Sequence, residues 1–171
     1  MTTPLADIRL LLLDVDGVLT DGSITYTDTG EQIKSFNVKD GLGIRLLMAA
    51  GVEVGIVTAR ISGALRHRCD NLGITLVVDG TKDKAKALES ISASTQINTA
   101  HIAFMGDDLI DLPAMTRAGF AFTVADAPAE VKTRADMIMD LPGGKGAVRQ
   151  ACEAILKAKG LWEKSVSRFL S

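Results

Sequence analysis

The stretch LLLLDVDGVLTDG, residues 10–22, decides the fold of this chain. Its leucine run predicts a strand buried on both faces, because strands inside a parallel sheet are apolar without interruption. The strand ends in two carboxylates, Asp14 and Asp16, and the burial of unpaired negative charge is costly. Another feature of the molecule must therefore compensate these charges.

The composition is that of an ordered globular protein. The chain has 171 residues, of which 47% are hydrophobic and 23% charged. This length supports one sizeable core, and we expect residues 1–171 to form a single domain. The formal net charge is -2 and aromatic residues make up 4%. A nucleic-acid partner is therefore not expected.

Other sequence features favour a cytoplasmic protein without a membrane partner. Cys69 and Cys152 lie far apart and match no ligand spacing, which predicts two reduced thiols. No segment approaches the ~18 consecutive apolar residues of a membrane span. The N-terminus lacks the basic region and apolar stretch of a signal peptide.

Apolar runs alternate with helical patterns along the chain. This alternation predicts an α/β fold with a doubly wound, mostly parallel sheet and helices on both faces. Ligands of such folds bind at the carboxyl ends of the strands. The predicted strands are 8–15, 52–59, 74–79, 100–107, 120–124 and 136–140, and the predicted helices are 41–51, 61–73, 82–94, 111–119, 128–135 and 146–160.

The segment 22–37 interrupts this alternation. It contains two stretches of alternating polarity around the tripeptide DTG, a pattern typical of a β-hairpin. The segment lies between the first strand and the first helix, so we expect it to project over the strand ends as a flap. An inert surface hairpin is the alternative interpretation.

Acidic side chains gather at two of the predicted strand ends. Asp107 follows the fourth strand, with Asp108 beside it and Asp111 one helical turn later. Asp14, Asp16 and Asp107 would repel one another, which raises carboxyl pKa values and destabilises a fold. A hard divalent cation removes that repulsion, and Mg²⁺ suits a site of few carboxylates plus a phosphate.

Two further strand ends supply groups that bind a phosphoryl group. Thr58 offers a hydroxyl donor and Lys84 a fixed positive charge. One aspartate of the first pair can attack phosphorus and form an aspartyl phosphate. The other can protonate the leaving oxygen and later activate water. Each signal is weak alone, but their order after successive apolar strands indicates phosphoryl chemistry.

The motifs DVDGVLTDG, IVTAR, Lys84 and MGDDLIDLP resemble the four motifs of the haloacid dehalogenase superfamily of phosphatases, over nearly the whole chain. The resemblance implies that Asp14 is the nucleophile and Asp16 the general acid and base. It also implies that Thr58 binds phosphate and that Lys84 balances charge.

The same resemblance implies the ligands of the magnesium ion. They are the carboxylate of Asp14, the backbone carbonyl of Asp16 and the carboxylate of Asp107. Asp108 and Asp111 are implied to be acidic neighbours that help to hold the metal shell.

A narrower likeness concerns the capless members of the superfamily. The motifs KSFNVKDGLGIRLL, TAR and GGKGAVRQ make the chain similar to 3-deoxy-D-manno-octulosonate 8-phosphate phosphatases. This resemblance implies hydrolysis of that sugar-acid phosphate in lipopolysaccharide precursor synthesis. It also implies a homotetramer whose flap hairpins form a central barrel. In that family the C-terminal region helps to close the neighbouring site, but residues 159–171 depart from its pattern.

Three basic residues are expected to bind the substrate. Arg60 stands where phosphatases of nine-carbon keto-deoxy sugars typically carry glutamate, and arginine pairs well with a carboxylate. Arg68 also matches the family pattern, with a surface helix residue as the alternative. Lys145 lies in the GGKG turn, where the family usually has arginine, and a plain turn explains that segment equally well.

Two other functions stay open from the sequence. One keeps the chemistry and changes the substrate to a related nonulosonate or another sugar phosphate. The other is a non-catalytic, magnesium-binding oligomeric module, against which the complete motif set counts.

Overall fold

A computed structural model describes residues 3–170, and its core is a six-stranded parallel sheet. The strands are β1 (Leu10–Leu13), β2 (Thr25–Tyr26), β3 (Gln32–Ile33), β4 (Glu53–Val57), β5 (Leu76–Val78), β6 (Ile102–Gly106), β7 (Phe120–Thr123) and β8 (Met137–Ile138). The order in the sheet is β5-β4-β1-β6-β7-β8, and β2 and β3 form a separate antiparallel pair. The predicted α/β class is therefore confirmed.

The leucine run occupies the middle of this sheet. Strand β1 pairs in parallel with β4 on one side and with β6 on the other, so that Leu10 lies opposite Glu53 and Ile102. All four leucines are fully buried. The strand ends at Leu13, two residues earlier than predicted, and Asp14 is the first residue beyond it.

Helices cover both faces of the sheet. The helices are α1 (Val38–Ala49), α2 (Gly63–Leu72), α3 (Lys84–Thr95), α4 (Leu112–Met115), α5 (Ala129–Lys132), α6 (Ala147–Ala158) and α7 (Trp162–Ser167). Helix α1 packs against α2 and α6, whereas α3 packs against α4. Right-handed crossovers place these two groups on opposite faces, because the chain runs from β1 to β4 and β5 on one side and then crosses to β6 on the other side of β1.

Helix α4 is shorter than the predicted helix 111–119. The chain must turn at Gly119 to enter β7, and the Gly119 amide donates to the carbonyls of Thr99 and Ile102. A β-carbon at Gly119 would lie 1.8 Å from the carbonyl oxygen of Ala100. This close passage ends the helix early.

Helix α7 lies in the C-terminal tail, where the sequence predicted no element. The Trp162 ring packs within its own chain, with Arg149 and Lys157 placed 5.6 and 5.3 Å from the ring centroid. Phe169, in contrast, is exposed. Of the two aromatic residues in the tail, Trp162 therefore packs against its own chain.

Strands β2 and β3 form the hairpin predicted for 22–37. Thr25 pairs with Ile33, and Tyr26 pairs with Gln32. Ile24, Tyr26 and Ile33 are exposed on this hairpin. As for membranes, no helix between residues 3 and 170 has both the length and the apolar character to cross a bilayer.

Candidate active site

Four charged residues form a group at the carboxyl ends of β1 and β6, which we name the inner cluster: Asp14, Lys84, Asp107 and Asp111. Asp107 is half-buried and the other three are buried. Lys84 is the first residue of α3, a helix capped by the side chain of Asp83. Its ammonium lies 2.9 Å from Asp14 Oδ2 and 2.5 Å from Asp111 Oδ1. Lys84 thus balances the charge of two buried carboxylates at once. It compensates part of the negative charge that follows the buried leucine strand.

Asp111 fixes the loop that carries Asp107. Its Oδ2 accepts hydrogen bonds from the amides of Asp107, at 3.0 Å, and Asp108, at 3.2 Å. Gly106 permits this approach, because a β-carbon there would lie 2.4 Å from the β-carbon of Asp111. Asp111 is fully buried, so its role is to hold the neighbouring carboxylate in position.

The inner cluster carries more negative charge than Lys84 balances. Burial, reinforced by the negative charge of Asp111, raises the pKa of Asp14 to about 6 even though Lys84 opposes the change. Burial, with Asp111 and Asp14 nearby, raises the pKa of Asp107 to about 8. Burial would lower the pKa of Lys84, but Asp14 and Asp111 outweigh it and the net direction is upward.

These carboxylates fit a divalent metal ion. Oxygens of Asp14, Asp107 and Asp111 lie within 4.8 Å of one another. Gly17, with a φ of +86°, lets Asp107 approach, since a β-carbon there would be 2.0 Å from Asp107 Oδ2. An all-oxygen, negatively charged donor set is what Mg²⁺ prefers. Because Asp111 is occupied by Lys84 and two amides, Asp14 and Asp107 are the better side-chain ligands.

Thr58 lies directly after β4, the strand that pairs with β1. Its backbone is fixed by two hydrogen bonds, from its own amide to the Val78 carbonyl and from the Thr81 amide to its carbonyl. The side chain is buried but borders an open cavity of about 250 Å³. The predicted site residues that line this cavity are Asp14, Asp16, Thr58, Arg60, Lys84 and Asp107.

The outer part of this cavity we name the mouth; its lining includes Asp16, Gly22, Ile24 and Arg60, and Lys34 lies behind it in contact with Asp16. Lys34 follows β3 and its ammonium forms an ion pair with Asp16 Oδ1. Arg60 Nε lies 3.6 Å from Asp16 Oδ2. Sequence reasoning missed Lys34. Strand alternation places Lys34 and Ile33 on different faces of the hairpin, but the sequence does not indicate which of these faces turns toward the site.

Arg68 does not line the cavity. Its guanidinium lies 5.8 Å from the centroid of the Phe36 ring, and its Nη2 donates to the Asn37 carbonyl at 3.2 Å. Asn37 caps α1 and donates through Nδ2 to the Gly144 carbonyl. Arg68 therefore supports the junction between the hairpin and α1.

Lys145 also lies outside the cavity lining. Its exposed ammonium is 4.0 Å from Asp21 Oδ2, at the outer edge of the first motif. The loop that carries it packs on that motif, because the Gly144 amide donates to the Val18 carbonyl at 2.9 Å. The structure thus places Lys145 beside the site, on a loop that supports it.

Comparison with known proteins identifies relatives among the haloacid dehalogenase-like hydrolases. The family model for haloacid dehalogenase-like hydrolases matches residues 74–148. A 3-deoxy-D-manno-octulosonate 8-phosphate phosphatase of Escherichia coli K12 is 44% identical over 154 residues, which cover 90% of this chain and 82% of that protein.

Solved structures of phosphatases with the same name are also similar to this chain. The phosphatase of this name from Yersinia pestis aligns with a TM-score of 0.92 and 42% identity, covering 94% of this chain and 86% of that one. The one from Moraxella catarrhalis, solved with magnesium, phosphate and KDO, aligns with a TM-score of 0.95 and 38% identity. It covers 97% of this chain and 95% of its own.

Proposed function

We infer that this protein is a magnesium-dependent phosphomonoesterase, because the chain belongs to the 3-deoxy-D-manno-octulosonate 8-phosphate phosphatase family of haloacid dehalogenase-like hydrolases. Its reaction hydrolyses that sugar-acid phosphate to the free sugar acid and inorganic phosphate. The observation that carries this inference is one cavity that joins Asp14, Asp16, Thr58 and Lys84. Phosphomonoester hydrolysis requires a nucleophile, a general acid and base, a phosphate-binding hydroxyl and a positive charge, and these four side chains would supply them.

The first half-reaction transfers the phosphoryl group to the protein. An oxygen of the Asp14 carboxylate forms a bond to phosphorus, and the bond from phosphorus to the sugar oxygen breaks. Asp16 supplies the proton that the departing alkoxide needs. The Thr58 hydroxyl and the Lys84 ammonium hold the phosphoryl oxygens and Asp14 in position.

The second half-reaction regenerates Asp14. Asp16, now ionised, removes a proton from a water molecule, which attacks phosphorus and displaces the Asp14 oxygen. Inorganic phosphate leaves, and Asp16 has recovered its proton for the next cycle. Lys34 and Arg60 both contact the Asp16 carboxylate in the free protein.

The metal site belongs to the inner cluster. Asp14 and Asp107, with the backbone carbonyl of Asp16, would hold Mg²⁺ there, and Asp111 would keep Asp107 in place. When bound, the ion supplies positive charge that offsets the carboxylates and the phosphoryl oxygens. The upward pKa shifts of Asp14 and Asp107 are consistent with this assignment, because they arise from burial and, second to it, from the negative charge of neighbouring aspartates.

Substrate recognition is proposed to involve Arg60, which borders the cavity and is half exposed. Arg68 and Lys145 are proposed to affect substrate binding indirectly. Arg68 supports the junction between the hairpin and α1, and Lys145 lies on the loop that packs against the first motif. A nonulosonate phosphate is the second candidate substrate. The presence of arginine at position 60 favours the octulosonate.

Phosphate release from a panel of phosphorylated sugars and sugar acids tests the function. We expect a strong preference for 3-deoxy-D-manno-octulosonate 8-phosphate that disappears with a chelator and returns with Mg²⁺. Even turnover across the panel would keep the phosphatase and overturn the substrate. No release from any compound would favour the non-catalytic, magnesium-binding module.

Assembly, compartment and pathway are further proposals. We propose a homotetramer, supported by the exposed Ile24, Tyr26 and Ile33 on the hairpin. The tetramer would act in the cytoplasm in lipopolysaccharide precursor synthesis. Replacement of Ile33 by aspartate is expected to lower the particle mass measured by light scattering, and an unchanged mass would contradict the hairpin interface.

A further inference from the structure

Asp40 is a buried acidic residue that the proposed reaction does not use. It lies in the first turn of α1 and is 1% exposed. Its Oδ1 accepts a hydrogen bond from the Arg149 amide at 2.8 Å, whereas its Oδ2 has no hydrogen-bond partner between residues 3 and 170. Burial raises the pKa of this carboxyl, although hydrogen bonds from the Arg149 and Gly146 amides oppose the change. A carboxylate buried at such a cost needs a reason in the surrounding structure.

Asp40 caps a helix other than its own. Helix α6 begins after Gly146, which has a φ of +111° and no side chain that could accept from the first amides. The Asp40 carboxylate takes that place, because it accepts hydrogen bonds from the Gly146 and Arg149 amides. Gly43 permits the approach of the two helices, since a β-carbon there would lie 3.0 Å from the Arg149 α-carbon. The start of α6 is therefore fixed from α1.

The residues before α6 pack on the loop that carries the proposed general acid. We name residues 142–146 the α6 entry loop. A β-carbon at Gly143 in this loop would lie 1.8 Å from the Gly17 carbonyl oxygen, so the two backbones are in direct contact. Gly17 follows Asp16, whose backbone carbonyl is also a proposed ligand of Mg²⁺. A displaced entry loop would therefore displace the peptide between Asp16 and Gly17.

A second side chain at the start of α1 holds the same loop. Asn37 caps α1 by accepting from the Lys39 amide at 2.8 Å, and its Nδ2 donates to the Gly144 carbonyl at 3.2 Å. Asn37 and Asp40 lie about one helical turn apart, so one contacts the entry loop and the other contacts the first turn of α6. Together they join the base of the flap hairpin to the loop of the first motif.

We propose that Asp40, assisted by Asn37, is a positioning residue that sets the place of the peptide between Asp16 and Gly17 through the α6 entry loop. This inference rests on the proposed function. Asp40 does not line the cavity, so it acts through the backbone that it holds. The hydrogen bonds require the acceptor at Oδ1 and not the negative charge, because Oδ2 is without a partner in residues 3–170.

Magnesium binding and turnover test this role by separate measurements. Asp40→Ala removes the acceptor. We expect it to weaken Mg²⁺ binding, measured by isothermal titration calorimetry, roughly 10-fold, since residues that orient metal ligands typically have effects of this size. The kcat for p-nitrophenyl phosphate at saturating Mg²⁺ should fall by a similar factor, because Asp16 itself is displaced. Asp40→Asn keeps the acceptor and should restore both values close to those of the wild type.

The matched control lies at the other end of α6. Ile155 is fully buried, and Ile155→Val should lower the Tm without any change at the entry loop. This variant should bind Mg²⁺ and turn over p-nitrophenyl phosphate as the wild type does. Equal losses in Asp40→Ala and Ile155→Val would reveal a general effect of destabilisation and overturn the positioning role. A loss in Asp40→Asn as large as that in Asp40→Ala would overturn the role of the acceptor.

A milder variant tests the same coupling if Asp40→Ala does not fold. Asn37→Asp keeps the oxygen that caps α1 but replaces the amide that donates to Gly144. We expect Mg²⁺ binding to weaken roughly threefold, the effect of one lost hydrogen bond. Unchanged binding and kcat would overturn the coupling through the loop. If the wild type neither binds Mg²⁺ nor hydrolyses p-nitrophenyl phosphate, the proposed function fails first and this inference fails with it.

Discussion

The inner cluster and the mouth contain the same kinds of charged groups, but in different surroundings. Lys84 and its two carboxylate partners are at most 5% exposed, whereas the side chains of Asp16 and Arg60 are 21% and 48% exposed. The inner cluster is held by strand ends and a helix start, whereas the mouth depends on a hairpin and a loop. The inner geometry is therefore set before substrate binds, and the pair between Arg60 and Asp16 at the mouth is open to exchange with substrate groups.

The largest expected effect comes from removing the nucleophile. We expect Asp14→Asn to reduce turnover by roughly 10³-fold or more, because the covalent step has no other acceptor. The free energy of unfolding should hardly change, since the replacement is isosteric and removes a buried negative charge whose cost already raises the pKa of Asp14. Phosphate release and thermal unfolding by circular dichroism measure the two effects. Near-normal turnover would rule out the aspartyl phosphate.

Removal of the central cation should damage both activity and stability. Lys84→Met leaves Asp14 and Asp111 buried without their shared partner, and we expect a loss of about 3 kcal/mol in the free energy of unfolding. The loss stays near the lower end for such pairs because Asp14 can take up a proton. Urea unfolding measures it.

The matched control for this change lies on the same helix. Lys86 is exposed, and Lys86→Met should leave both the urea midpoint and turnover as in the wild type. A similar stability for the two variants would mean that the inner cluster does not depend on its lysine.

The proximity of Asp14, Thr58 and Asp107 could be predicted from the sequence for a physical reason. Asp14, Thr58 and Asp107 each follow an apolar run, and the carboxyl ends of parallel strands meet at one edge of a sheet. Their approximate neighbourhood thus follows from chain order alone. The hydrogen bonds by which Asp111 anchors the loop could not be predicted from the sequence. They depend on the close approach of the Gly106 backbone to the Asp111 side chain.

The mouth and the remote basic residues were less predictable. The position of Lys34 depends on the tilt of a short hairpin against the sheet, which strand alternation does not specify. Arg68 was inferred from a family pattern, but its packing on Phe36 turns it toward the α1 junction. The early end of α4 likewise depends on one close backbone contact, at Gly119.

At the mouth, we expect a smaller effect that depends on the substrate. Arg60→Glu should lower kcat/KM for 3-deoxy-D-manno-octulosonate 8-phosphate roughly 10- to 100-fold through like-charge repulsion with the acid. Thermal stability should change little, because the side chain is half exposed. Hydrolysis of p-nitrophenyl phosphate by the same variant is the control. Unchanged turnover of the octulosonate would show that Arg60 does not contact the acid.

The smallest expected effect is a pH-dependent stabilisation by Mg²⁺. Asp107 and Asp14 have raised pKa values of about 8 and about 6, so the folded, metal-free protein binds more protons than the unfolded chain between about pH 4 and pH 8. Its free energy of unfolding must therefore fall as the pH rises through this window. Lys84, with its pKa raised, stays charged throughout and does not alter the sign.

Mg²⁺ competes with these protons for the same carboxylates, so its stabilising effect should grow as the protons leave. We expect the rise in Tm on adding Mg²⁺ to be several degrees larger at about pH 8 than at about pH 5.5. Asp107→Asn should flatten both the pH dependence of the metal-free protein and the gain from Mg²⁺. Equal gains at the two pH values would place the ion away from the inner cluster, because the raised pKa values of Asp107 and Asp14 make binding at that cluster pH-dependent.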